Sequence, residues 1–569
     1  MNEVTIMKLL NSGFLSLVFT CFIVSMGMSQ QVQKFDIVIY GGTSAGISAA
    51  IQASRMNKKV ILIEPTSRIG GLTTGGLGQT DIGNKQVIGG ISREFYQNIK
   101  EYYGNPQNWK WESRAEYQDG GQTRTEKGEA TMWTFEPSAA LAVYNEMIVA
   151  EKNVTLVLNE RLNRNNGIKK KDGVIIEIAT ENGHRYEGKM FIDATYEGDL
   201  MALAGISYTL GRESSEMYGE NLNGVQANIK KPSLTGNISM NGYNHNFSDG
   251  VDPYVQKGNP ESGLLPFVEK ESVFPDGSGD KRIQAYCYRM CLTDHPENRI
   301  PFEKPVGYNE LDYELLIRNF EAGDNPKDVP WINSKMPNRK TDTNNRRGFS
   351  TDFVGQNYTY PEASYEERNE IAKKHLNYQK GLVWTLANHS RIPAEIRAEA
   401  ARWGMTKDEF VEGNGWQEQL YVREARRMVS DLVMNQLHCE GLKTIKEAIG
   451  MAAYGMDSHN VQRYINANGF VKNEGNVEAK LKLPYQIGYG AIIPKKEECK
   501  NLLVPVCLSA SHIAFGSIRM EPVFMVLGQS AATAACIAIN DRQSVQDILY
   551  KKLRTQLQTN KQVLQNASK

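Results

Sequence analysis

Apolar and polar positions sort the chain into elements before any single residue is weighed. Phe35 to Tyr40 is apolar apart from Asp36 and rich in β-branched side chains, the pattern of a buried strand. Ile47 to Met56 carries small and apolar residues at helical spacing, and Lys58 to Glu64 (KKVILIE) is a second buried strand. With the turn Gly41 to Gly46 between them, strand, turn, helix and strand follow within about thirty residues, a βαβ unit. From Asn153 come short strands with turn signals, VTLVLNERL, GVIIEIAT and RYEGKMFIDAT, a meander returning to the main sheet at Met190 to Ala194. Residues 216–480 are more polar, with Asn, Gly and Pro clusters and a long helical stretch from Ser364 to Leu386. Within them RIQAYCYRMCLT (Arg282 to Thr293) reads as a long strand, tyrosines on one face and Cys287, Cys291 and Arg289 on the other. NLLVPVCLSASH then restores a buried strand, and Glu521 to Ile539 a very apolar helix.

The turn itself is a phosphate-binding pattern with one departure. A helix N-terminus accepts a pyrophosphate through free backbone amides, here those around Ser44 and Ala45, and through the aligned peptide dipoles. Gly41 permits the tight turn and Gly46 close packing of helix on strand, while the middle glycine of G-x-G-x-x-G is replaced by Thr43. Gly42 leaves slack beside it, and the Thr43 hydroxyl is expected to reach a phosphate oxygen. Glu64 ends the second strand 18 residues after Gly46, placed to accept ribose hydroxyls and to disfavour a 2′-phosphate. Downstream, RIGGLTTGG holds Gly70, Gly71, Thr73, Thr74, Gly75 and Gly76 in a second backbone-lined segment. Such a segment suits a cofactor that extends past the first turn, FAD rather than NAD.

Charge and cysteine content narrow the setting. Lysine plus arginine equals aspartate plus glutamate, 65 each over 569 residues, so no global field favours nucleic acid or an anionic surface. The run Lys169 to Lys171 lies at a hairpin tip. An apolar run after Lys8, FLSLVFTCFIVSMGMSQ, is too short for a spanning helix and reads as a signal peptide over residues 1–29. Export, to the periplasm or beyond the cell, is the expectation, with no stable membrane span in the mature chain. Beyond the leader stand six cysteines, Cys287, Cys291, Cys439, Cys499, Cys507 and Cys536, with no CxxC and no metal-like spacing. A Cys287–Cys291 bridge stays open.

Three separated stretches carry a family resemblance: YGGTSAGISAAIQASRMNKKVILIEPTSRIGGLTTGG, FIDATYEGDLMALAGISYTLGRES and ECKNLLVPVCLSASHIAFGSIRMEPVFMVLGQSAATAA. On these the chain resembles the FAD-dependent oxidoreductases within the glutathione-reductase-like flavoproteins, some exported members of which carry xanthan-lyase-like labels. The resemblance covers nearly all of the chain after the leader. It implies an α/β fold: a Rossmann-like FAD-binding domain over residues 34–215 and 481–545, an inserted α+β substrate domain at 216–480, and a C-terminal tail at 546–569. It also implies that Asp193, on the return strand, and the helix beginning at Glu521 meet the flavin, the helix stabilising charge on the N1–C2 side of the reduced ring. Gly528, Ala531, Ala532 and Ala535 form a stripe of small residues on that helix, which close packing explains equally well.

For the chemistry, hydride removal from a hydroxyl-bearing or amine-bearing carbon needs a proton acceptor, and histidine suits it. His459, in GMDSHNVQR, and His512, in SASHIAFGSIRMEP, stand in polar company beside cofactor-domain elements. YVREARRM reads as a helix with Arg423 and Arg427 on one face, a fork for a carboxylate or for sugar hydroxyls. Arg289 is a further cation. No second glycine turn of βαβ type and no redox CxxC follow, so the flavin's electron acceptor is oxygen, a quinone, a small carrier or a partner protein. The expected substrate is small and polyhydroxylated, a sugar or glycoside. The alternatives are a polysaccharide-lyase-like protein or one that binds FAD without turnover.

Overall fold

The computed structural model describes residues 32–227, 234–235, 238–240, 245–323 and 329–566. The expected signal peptide lies outside the described residues. Strand β1 (Gln33–Tyr40) leads through Gly41–Thr43 into helix α1 (Ser44–Arg55) and strand β2 (Val60–Ile63). After helices α2 (Gly90–Tyr102) and α3 (Pro137–Val149), strands β3 (Val154–Val157), β4 (Ile168–Lys171), β5 (Val174–Ala179) and β6 (Arg185–Asp193) complete the main sheet. Its order is β3-β2-β1-β6-β5-β4, and a short strand Leu502–Leu503 also pairs with β6. Pairings β1 with β2, β1 with β6, β2 with β3 and Leu502–Leu503 with β6 are parallel, while β5 and β4 add as an antiparallel hairpin.

Alternation along β1 explains the layering. Ile37 and Ile39 face one apolar cluster with Ala49 and Ala53 of α1 and Leu527 of the helix Glu521–Asp541. Val38 and Tyr40 face the other side, against Phe191, Leu200 and Met201. Both faces of a mostly parallel sheet are thereby covered, and each fully buried Ile or Val contributes about 1.5–3 kcal/mol. The first cluster continues without a break through Tyr286, Leu316 and Leu382. The Glu521–Asp541 helix has the length and apolarity to cross a membrane, yet 94% of its apolar window is buried within the protein.

Residues from the polar half of the sequence form an antiparallel five-stranded sheet, ordered Arg299–Ile300, Gly404–Thr406, Met290–Thr293, Lys340–Asn345, Trp331–Met336. The long helix Tyr365–Asn388 beside it starts at Ser364, which closes a capping box with Glu367.

Two expectations are corrected, and two further points are filled in. The strand expected over 282–293 is regular only from Met290, because Ala285 and Cys287 bond to Asn460 and Tyr421 through irregular segments. Tyr421 to Met428 is not a helix: it runs extended, with Arg427–Met428 pairing to Tyr208–Thr209. The helical period of its arginines misleads because nearly every side chain meets a different buried partner. Arg423 meets Asp352, Glu424 meets His512, Arg426 meets Asp199 and Arg427 meets Glu213. Cys287 and Cys291 are free and buried, so the open question of a bridge closes against it. The C-terminal tail contains a helix, Tyr550–Thr559, whose Leu553 and Leu557 join the main core.

Candidate functional site

At the glycine turn the chain is pressed from two sides. Gly41 has φ +102°, and a Cβ there would stand 2.7 Å from the backbone carbon of Ala194 on the loop after β6. A Cβ on Gly46 would collide with the Gly41 carbonyl oxygen, and one on Gly528 with the Ala45 carbonyl oxygen. Gly528 is thus the crossing point of the Glu521–Asp541 helix on α1, a packing residue rather than the cofactor contact expected of it. Thr43 also differs from expectation. Its hydroxyl donates to Ala194 O at 2.7 Å and accepts from Gly46 N at 3.4 Å, so it N-caps α1 and ties the turn to β6. The amides of Ser44 and Ala45 open the first helical turn, where no intrahelical acceptor exists.

Glu64 is buried and accepts from Gly42 N at 2.7 Å and from the Thr66 amide and hydroxyl at 2.8 and 2.7 Å. Burial outweighs these bonds and pushes its carboxyl up to about 7. Because the folded chain holds this proton more tightly than the unfolded one, stability falls as pH rises from about 4.5 to about 7, by on the order of 3 kcal/mol. Urea unfolding of the FAD-free chain and of Glu64→Gln across this window checks it. The wild type is expected to lose stability relative to the variant as pH rises, and a constant difference would refute the assignment. Asp193 is raised in the same direction, to about 6, by burial beneath the loop after β6. Its carboxylate accepts from the Thr195 amide and hydroxyl and from Met201 N.

A cavity of about 850 Å³ starts at this turn. Gly41, Thr43, Glu64 and Gly71 of the expected residues stand in its wall, with Gly75, Arg68 and residues 417–420. Gly42, Ser44, Ala45, Gly46, Gly70, Thr73, Thr74, Asp193 and Glu521 do not line it and stand behind that wall. Gly70 has φ +96° and Thr74 bonds back to Ile69 O. Glu521 joins the Thr73 hydroxyl and the Tyr196 hydroxyl, each at 2.8 Å, locking the glycine segment to the last helix and to the loop after β6. Arg68, which the sequence reading did not single out, bonds the carbonyls of Thr74 and Pro137 and lies over the Phe410 ring. A guanidinium with neutral partners in a cavity wall suits a phosphate. Together with the helix start and the Glu64 carboxylate, it fits this cavity to an elongated dinucleotide.

A second cavity, about 660 Å³, begins where residues 79–81 and 421–423 follow on from the segments lining the first. His459, Arg423, Arg289, Asp457, Tyr421 and Asp81 face it. His459 Nδ1 lies 2.7 Å from Asp352 Oδ2, and Nε2 lies 3.4 Å from Asp457 Oδ2. Against the cost of burial, Arg423 and His459 hold the Asp352 carboxyl well below the ordinary range. His459 and Arg519 do the same for Asp457. An ionised Asp352 accepting from Nδ1 fixes the ring's orientation and turns Nε2 toward Asp457 and the cavity. Arg423 donates to Asp352 Oδ1 at 2.8 Å and to Ala285 O, stacks on Tyr421, and keeps Nη1 buried without a partner. His512 lines neither cavity: its nitrogens meet Glu424 at 2.7 Å and Ser458 at 2.9 Å in the core. Lying off both cavities, it ties Glu424 to Ser458 rather than serving as the base expected. Among the described residues no cluster fit for a metal ion occurs.

A family model described as FAD dependent oxidoreductase matches residues 36–557. Similar solved structures include L-amino acid deaminase from Proteus vulgaris (14% identity, 32% of this chain and 54% of that one, TM-score 0.23). L-proline dehydrogenase from P. horikoshii aligns at 15% identity over 32% of this chain and 59% of its own, TM-score 0.23. Thioredoxin reductase from T. acidophilum aligns at 17% identity over 28% and 35%, TM-score 0.16. The aligned part thus spans less than two thirds of each of these proteins. No curated protein sequence matches the chain.

Proposed function

The chain belongs to the FAD dependent oxidoreductase family, and from that premise we propose that it oxidises a hydroxyl-bearing carbon of a small, polyhydroxylated substrate, with His459 as the base. Bound FAD supplies the two-electron acceptor for hydride. The amides at the start of α1 and the Arg68 guanidinium suit its pyrophosphate, and Glu64 suits its ribose hydroxyls. His459 Nε2 takes the hydroxyl proton, Asp352 orients the ring through Nδ1, and Asp457 stabilises the imidazolium. Arg423 Nη1 donates to the oxygen on which negative charge develops.

The observation that carries this reading is a cavity at the glycine turn whose lining segments run on, from Gly75 to Gln79 and from Leu420 to Tyr421, into a polar cavity holding a carboxylate-oriented histidine. Sugars or glycosides remain the favoured substrates because the polar cavity offers both fixed donors and fixed acceptors. Residues 216–480 supply Arg289, Arg423, His459 and Asp457 to it, which supports their role as the substrate-binding part.

The test is the absorbance spectrum of the purified protein, followed by anaerobic addition of candidate sugars. Flavin bands that bleach on addition are expected. Bound flavin that no sugar bleaches favours binding without turnover, and an unsaturated product formed without bleaching favours the lyase alternative.

A further inference from the structure

The charges around the second cavity are nearly all committed to one another. Arg289 makes a bidentate pair with Asp342, Nε to Oδ1 at 2.7 Å and Nη2 to Oδ2 at 2.8 Å. Arg423 pairs with Asp352, and Arg519 with Asp457 at 2.8 Å. The three guanidiniums lie 5.8, 4.1 and 5.9 Å from the Tyr421 ring centre, and Arg519 also donates to the Tyr421 hydroxyl at 2.9 Å. His245 faces Glu478 at 2.9 Å, and Lys480 at the mouth is exposed, where its charge is screened by solvent.

Among the described residues two charged groups keep bonding capacity here, beside the unpartnered Asn344 Oδ1. Arg423 is 2% exposed, and its Nη1 is a fixed donor without an acceptor. Asp81 follows the glycine segment, which Asp342 anchors by accepting from Gln79 N at 3.0 Å. Among the described residues the Asp81 side chain accepts from Gln122 Nε2 at 3.2 Å, on the open side of the cavity, and the charges of Arg289 and Arg519, already paired with Asp342 and Asp457, act on it. Asp81 is half-buried and reached from the cavity, and burial together with Asp342 and Asp457 pushes its carboxyl up.

A leftover donor and a leftover acceptor define the ligand. A carboxylate only accepts: it satisfies Arg423 Nη1, whose charge Asp352 already balances, but leaves Asp81 without a donor and meets its like charge. An ammonium only donates: it satisfies Asp81 but leaves Arg423 Nη1 without an acceptor and meets the guanidinium's like charge. Hydroxyl groups donate and accept, and satisfy both. Resting on the reading of this cavity as the substrate site, we propose that it takes uncharged, hydroxyl-bearing substrates and that Asp81 selects them, accepting a substrate O–H and repelling a carboxylate.

Calorimetric titration of the FAD-loaded protein with matched probes, methyl glucoside against glucuronate and glycerol against glycerate, tests it. The neutral member of each pair is expected to bind at least about tenfold tighter, a difference of about 1.4 kcal/mol. In Asp81→Asn the carboxylate member should gain and the neutral member lose, bringing the ratio toward one. Carboxylates that bind as tightly as their neutral partners in the wild type, or a ratio unchanged in Asp81→Asn, overturn the proposal. Should Asp81→Asn lose FAD, Asp81→Ser serves as the second variant and the wild-type ratio decides. Binding of neither member overturns both this proposal and the substrate reading. Neutral binding without flavin bleaching supports this proposal while overturning hydride removal.

Discussion

Gly46→Val protein is expected to purify without FAD. The added Cβ alone collides with the Gly41 carbonyl oxygen, and neither partner has room to retreat. Gly41 is held against Ala194 on one side, and α1 is held by the Gly528 crossing at Ala45 on the other. Overpacking of this kind costs about 1–3 kcal/mol or more, and here the displaced atoms are the helix start and turn proposed to take the pyrophosphate. The readout is the ratio of flavin to protein absorbance, with far-ultraviolet circular dichroism to show that the remaining fold persists. Thr43→Gly makes the contrast. Glycine replaces threonine as an N-cap at a cost of a few tenths of a kcal/mol, and the lost bond to Ala194 O adds about 1 kcal/mol. That variant should be less stable and still yellow. Loss of flavin from Thr43→Gly as complete as from Gly46→Val would return the hydroxyl to the phosphate. Retention in both would place the pyrophosphate elsewhere.

The contrast marks where the sequence could be read and where it could not. β1, α1 and β2 are legible because strand and helix periodicity are local, and the Gly41 and Gly46 requirements follow from a turn six residues long. Thr43 is not, because its acceptor, Ala194, lies 151 residues away. The same distance problem hides Asp352, the partner 107 residues from His459, and Asp81, a lone aspartate after a run of glycines. Arg423 and Arg427 misled for another reason: a spacing of four fits a helix face, but extended backbone also carries it. His459 and His512 stood in equally polar company, and only the cavity separates them. A buried histidine with both nitrogens engaged gives no sequence signal that differs from a catalytic one.

His459→Asn is expected to keep its flavin and lose turnover by about 10²–10⁴-fold, the usual contribution of a positioned general base. FAD retention follows because the residues that suit the cofactor belong to the first cavity and none of them bonds to His459. Asp352→Asn should be slow as well, and also unstable. Asp352 is fully buried and holds both Arg423 and His459, so neutralising it leaves a guanidinium in the interior without its counter-charge, at about 3–5 kcal/mol. Because its folded pKa is depressed, this contribution is present above the ordinary aspartate range and is lost as pH falls below about 4. The stability difference between wild type and Asp352→Asn should therefore shrink in acid, while His459→Asn shows a smaller change. Stopped-flow reduction of bound flavin measures the rates, and denaturant unfolding from pH 3 to pH 7 measures the stabilities. Wild-type reduction rates in His459→Asn would remove the histidine from the chemistry and leave the Asp352–Arg423 pair as structure alone.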